Sequence, residues 1–144
     1  MKKEIWFDMD GTIANFYGVE DWLEYIKREQ TKPYREAKPL IDMKHLAKEL
    51  NRLQKLGYTI GIISWLAKDS TENYDKKVEK AKKNWLKSHL KSVKFDKINI
   101  VKYGTPKENF GKGILFDDEE LNRKNWKEKA FDEKNIIEIL RAIA

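Results

Sequence analysis

The chain has 144 residues, no cysteine and a net charge of +6 at a pI of about 9.3. That length suits one domain with one core, and the absence of thiols excludes a disulfide framework and a thiolate metal site. No apolar run approaches the roughly 20 residues that span a bilayer, and the opening MKKEIWFDMD carries acids in too short an apolar segment for a signal peptide. A soluble cytoplasmic protein with no membrane partner is expected. The basic balance favours anionic partners (phosphorylated metabolites, nucleotides or nucleic acid) without choosing among them.

In chain order, EIWFDMD (4–10) is apolar and aromatic up to its two acids and predicts a short buried strand. GVEDWLEYIKREQ (18–30) sets Val19, Trp22, Leu23 and Ile26 at helical spacing, whereas TKPYREAKPL (31–40), with two prolines and no period, predicts a loop. DMKHLAKELNRLQKLG (42–57) is an amphipathic helix with Asp42 placed to cap its start and Gly57 its end. YTIGIIS (58–64) predicts the second buried strand, and residues 70–90 a long basic helix with Tyr74, Val78, Ala81 and Trp85 as its apolar stripe. KINIV (97–101) and GILFDD (113–118) are two further strands, a short fifth lies near Ala130–Phe131, and KNIIEILRAI (134–143) is a closing helix. This alternation predicts a single α/β domain, a Rossmann-like three-layer fold with a mainly parallel sheet. Residues 15–40 form the one irregular insertion, the size of a small cap over a site.

The polar residues fall at strand ends. Asp8 and Asp10 close the first strand, Ser64 the second and Asp117 with Asp118 the fourth, while Lys107 lies in the loop that leaves the third. In a parallel sheet these ends share one edge, where ligands bind. Carboxylates gathered there raise one another's pKa, and a hard divalent cation held by oxygen alone, Mg2+, relieves that. A lysine and a hydroxyl beside them suit a phosphate dianion, so the set has the parts for phosphoryl transfer.

DMDGT (8–12), GIIS ending in Ser64, Lys107 and ILFDDEE with Asp117 and Asp118 stand in this order over residues 4–126. The arrangement resembles the haloacid-dehalogenase superfamily of phosphatases. Its second half, with KKNWLKSHL, a lysine ten residues before the acid pair and then NRKNW, is similar to the 5'(3')-deoxyribonucleotidase group. The resemblance implies a Mg2+-dependent phosphomonoester hydrolase acting on a small phosphorylated substrate, with a (deoxy)nucleotide as one candidate. It implies that Asp8 attacks phosphorus to form an aspartyl-phosphate, and that Asp10 protonates the leaving oxygen and then activates water. The metal would be held by Asp8, the Asp10 backbone carbonyl and Asp117, with Asp118 either in an outer shell or on a metal-bound water. Phosphate binding would fall to Ser64, Lys107 and the Gly11–Thr12 turn, whose glycine permits the tight bend.

Other readings compete. Lys102 and Lys112 are alternatives to Lys107. Trp65 either packs under the cap or stacks on a substrate ring, and packing is the simpler expectation. Nine lysines between Lys76 and Lys97 suggest a nucleic-acid face, and hence a phosphatase for nucleic-acid ends. A solvated helix is the preferred reading, because few aromatics there can stack bases. A non-hydrolytic phosphoacceptor module also gathers acids, a hydroxyl and a lysine, but with its acid pair first and a lone phosphoacceptor in mid-chain.

Overall fold

A computed structural model describes residues 2–143. Its first strand, β1 (Glu4–Phe7), buries Ile5 and Phe7 in one apolar cluster and Trp6 in another. A strand that is apolar on both faces belongs between two covering layers, and β1 is the centre of a five-stranded sheet. Two short strands, β2 (Ala14–Asn15) and β3 (Lys38–Pro39), form a separate antiparallel ribbon. The others, β4 (Thr59–Trp65), β5 (Lys97–Val101), β6 (Ile114–Phe116) and β7 (Lys129–Phe131), join β1 in the order β5-β4-β1-β6-β7, all parallel. The architecture is therefore the expected Rossmann-like α/β fold, including the fifth strand at Ala130–Phe131.

Among the described residues six α-helices complete it: α1 (Trp22–Lys27), α2 (Lys32–Glu36), α3 (Met43–Lys55), α4 (Glu72–His89), α5 (Glu120–Asn125) and α6 (Ile136–Arg141). Leu50 and Leu53 of α3, Trp85 and Leu86 of α4 and Leu140 of α6 share the larger cluster with Ile62 and Phe116 of the sheet. Trp6, Ile63 and Leu115 face the opposite way, where Trp126 and Phe110 cover them. Two helix starts follow from their sequence. The Asp42 carboxylate accepts the backbone N–H of Lys44 at 2.9 Å and of His45 at 3.2 Å, and the Thr71 hydroxyl accepts that of Tyr74 at 3.2 Å.

Four expectations need correction. The helix expected over 18–30 is confined to α1, because Asp21 and Glu29 take left-handed backbone angles on either side of it. The loop expected over 31–40 contains α2 and β3: Pro33 sits in the first turn of α2, where its missing N–H costs nothing. Helix α5 was not foreseen, since ELNRKN is short and polar and shows no apolar period. Both acid-bearing strands also stop before their acids, at Phe7 and Phe116.

The insertion leaves and returns through the β2–β3 ribbon, where Ala14 faces Pro39 and Asn15 faces Lys38. Phe16 and Tyr34 from the insertion pack on Tyr74, Val78 and Ala81 of α4. Tyr74 Oη donates to the Gln30 carbonyl and Trp85 Nε1 to that of Ala37, each at 2.7 Å. The cap is thus fastened along α4 by both apolar contact and directed hydrogen bonds.

Candidate functional site

The backbone ladder continues one residue past the strands. Asp8 N–H donates to the Phe116 carbonyl at 2.9 Å and Asp117 N–H to that of Phe131 at 3.0 Å. Both carboxylates are therefore set by the sheet itself. After Met9 the chain turns back sharply, and the N–H groups of Thr12, Ile13 and Ala14 all donate to the Met9 carbonyl. Gly11 makes this bend with a φ of 82°, and a side chain there would collide with the Asp118 carboxylate.

On the β6 side of β1, Lys107 Nζ donates to Asp8 Oδ1 at 2.9 Å and to Asp117 Oδ2 at 2.7 Å. Thr12 Oγ1 donates to Asp8 Oδ2 at 3.0 Å and accepts the Asp118 N–H at 3.1 Å. Asp117 also accepts from Glu119 N at 2.9 Å and Asn122 Nδ2 at 3.2 Å. Oxygens of Asp8, Asp117 and Asp118 all lie within 4.8 Å of one another. On the β4 side, Lys82 Nζ donates to Asp10 Oδ2 at 2.9 Å, to Ser64 Oγ at 2.6 Å and to the Trp65 carbonyl at 2.7 Å.

These contacts separate the acids electrostatically. Burial, the largest influence, pushes the Asp8 carboxyl up, but the Lys107 ammonium, hydrogen bonding with Asp118 and the Lys82 charge together hold it below the ordinary carboxylate range. Burial raises Asp10, offset only in part by Lys82. Burial together with Asp8 raises Asp117 to about 6 and Asp118 to about 8. Burial alone would lower the Lys107 ammonium, yet Asp8 and Asp117 raise it. Three clustered carboxylates around a single ammonium form an oxygen-only donor set with surplus negative charge, and such a set fits a metal ion.

No protein-family model matches this chain, and no curated protein matches it in sequence.

Of the residues singled out in the sequence, Asp8, Thr12, Lys107, Asp117 and Asp118 meet directly, with Gly11 against Asp118. The Asp10 carboxylate is not among the three clustered acids and turns to Lys82 instead. Ser64 is wholly buried and bonded to Lys82, and the buried Thr12 hydroxyl gives its proton to a carboxylate. Lys102 and Lys112 are both exposed, whereas Lys107 is buried among the acids.

A cavity of about 450 Å³ opens between this edge and the cap. Asp8, Asp10, Lys107 and Asp118 line it on one side, and Tyr17, Trp22, Trp65 and Tyr103 supply aromatic walls. Tyr17 and Tyr103 are 48% and 53% exposed, so the mouth presents apolar rings to solvent. Trp65 is held from the 103–107 loop: its indole N–H donates to the Thr105 carbonyl at 2.8 Å, its ring lies 5.0 Å from that of Tyr103, and Lys107 Nζ sits 5.3 Å from it.

The residue that sequence reasoning missed is Lys82. Of the nine lysines between Lys76 and Lys97, it is the one that is buried. The available signal was its place beside Ala81 and one turn after Val78, on the edge of the apolar stripe.

Proposed function

We propose that the chain is a phosphomonoester hydrolase that works through an aspartyl-phosphate on Asp8 and uses Mg2+. The observation that carries this reading is the division of labour among buried acids. Asp8 is held ionised beside Lys107, while Asp10, two residues away, keeps a raised pKa and a separate partner. A nucleophile must be ionised and a general acid must hold a proton, and enzymes separate such pairs by environment.

In the first half-reaction an Asp8 oxygen bonds to phosphorus as the ester P–O bond breaks, and the proton on Asp10 goes to the departing oxygen. In the second, Asp10 takes a proton from water as the water oxygen attacks phosphorus, and the Asp8–phosphorus bond breaks. The sum is ester plus water giving alcohol plus inorganic phosphate, with both aspartates restored. Lys107 lies where it can offset charge on the transferring group. Asp8, Asp117 and Asp118 would hold Mg2+, with the Asp10 backbone carbonyl as a further ligand. The bound ion supplies charge neutralisation at the phosphoryl oxygens.

The aromatic mouth supports a small substrate with a flat apolar portion, for which a (deoxy)nucleotide is one candidate. The test is turnover of a panel of nucleotides, sugar phosphates and a chromogenic phosphomonoester, with Mg2+, with EDTA and with Asp8→Asn. Turnover that needs Mg2+ and vanishes in the variant supports the reading. Stoichiometric phosphorylation of Asp8 without turnover would favour a phosphoacceptor module instead. Activity confined to oligonucleotide termini would favour a nucleic-acid end phosphatase.

A further inference from the structure

Lys82 lies outside the three-acid cluster, and the reaction above gives it no step. Its side chain is 1% exposed, and its ammonium has three acceptors arranged around it: a carboxylate, a hydroxyl and a backbone carbonyl. An ammonium has three hydrogens to donate and no lone pair to accept with. Each of these contacts therefore has a fixed polarity. Asp10 Oδ2 must act as an acceptor, so any proton on this carboxyl sits on Oδ1. Among the described residues Oδ1 has no partner, and the Asp10 side chain keeps 19% exposure where it borders the cavity.

From this arrangement we infer that Lys82 is a positioning residue: anchored by Ser64 and the Trp65 carbonyl, it selects the Asp10 oxygen that exchanges protons with substrate and aims that oxygen into the cavity. The inference rests on the hydrolase reading. It gives Ser64 the task of anchoring Lys82. It also explains why a buried lysine stands on the stripe of a helix whose other lysines are solvated. Three hydrogen bonds to a buried cation hold it more firmly than a surface ion pair could, because water does not compete for them.

The test compares two substrates that differ in their need for a proton. An alkyl phosphate expels a basic alkoxide and requires protonation, whereas 4-nitrophenyl phosphate expels a stable phenolate and does not. Here kcat/KM reports the step in which the leaving group departs. Lys82→Met is expected to lower kcat/KM on the alkyl phosphate by about 10²-fold or more and on 4-nitrophenyl phosphate by less than about tenfold. In an Asp10→Asn background the same substitution should add little, because its route of action is already lost. Lys82→Arg keeps the charge, so it is the variant better placed to fold. Its planar fork cannot match three converging acceptors, and it should show the same substrate-dependent pattern more weakly. Cooperative melting identifies which variants are folded. An equal loss on both substrates in any folded variant, or an effect that persists undiminished with Asp10→Asn, would overturn the positioning role while leaving the hydrolase reading intact. Absence of turnover by the unmodified protein on every substrate would overturn both.

Discussion

On the β6 side of β1, one ammonium, Lys107, serves Asp8 and Asp117 with Asp118 close by. On the β4 side, Lys82 meets one carboxylate, one hydroxyl and one carbonyl. Both lysines are buried, and both bridge residues from separate elements. The difference lies in the charge count. The first half gathers three carboxyl groups about one ammonium, and the second sets one carboxyl group against one ammonium. Surplus buried charge costs several kcal/mol per ion unless something offsets it, so only the first half has reason to take a cation. In the second half the three hydrogens of the Lys82 ammonium all have acceptors, which suits a group that must keep one orientation.

The comparison can be broken most severely at Asp8. On the proposed mechanism Asp8→Asn removes the nucleophile, and turnover should fall by roughly 10⁴-fold or more in a steady-state phosphate-release assay. Residual activity near the unmodified level would place the nucleophile elsewhere.

Lys107→Met comes next. It leaves Asp8 and Asp117 buried without their counter-charge and should destabilise the protein by about 3–5 kcal/mol in urea titrations without divalent ions. Adding Mg2+ should recover part of that loss. Lys82→Met should lose stability that Mg2+ does not recover, since its half of the site holds no cluster of acids. Equal rescue of the two variants would erase the distinction between the halves.

A smaller effect follows from the raised acids. Asp118 at about 8 and Asp117 at about 6 bind protons more tightly when folded than when unfolded, where a carboxyl titrates near 3.8. The folded state therefore carries the extra protons between those values, and the metal-free protein should lose stability as pH rises from about 4 to about 8. A divalent ion competes with those protons, so the Mg2+-induced rise in Tm should be larger at pH 8 than at pH 5. Melting curves at the two pH values decide it, and a rise that is the same at both would remove proton competition from the account.

The smallest effect belongs to the exposed face of α4. Lys80→Ala with Lys87→Ala, both at solvent-exposed positions, should change stability by no more than about 0.5 kcal/mol and leave the proposed phosphatase activity unaltered. Loss of salt-sensitive oligonucleotide binding in this variant would instead revive the nucleic-acid reading.

The acids were legible because their type, spacing and position after apolar strands all agree. Asp8, Asp117 and Asp118 need only a parallel sheet to meet, and the strand–helix alternation already implied one. Lys107 could be chosen over Lys102 and Lys112 from its loop, and burial separates the three. The cap was legible as an insertion but not as two short helices on a ribbon. Its helices are held by contacts with α4 rather than by any period of their own, as the Phe16–Tyr34–Tyr74 packing illustrates.

The sequence by itself determined the sheet, the long helices and the edge where the acids gather. Strand burial and helical amphipathicity are local patterns repeated over several residues, and a parallel sheet brings its strand ends together whatever the details. Only the tertiary structure decided the partners of each charge. A lysine in a run of lysines has the same local signature whether it faces water or an aspartate. Lys82 differs from its neighbours only through the groups that Asp10, Ser64 and Trp65 bring to it from distant parts of the chain.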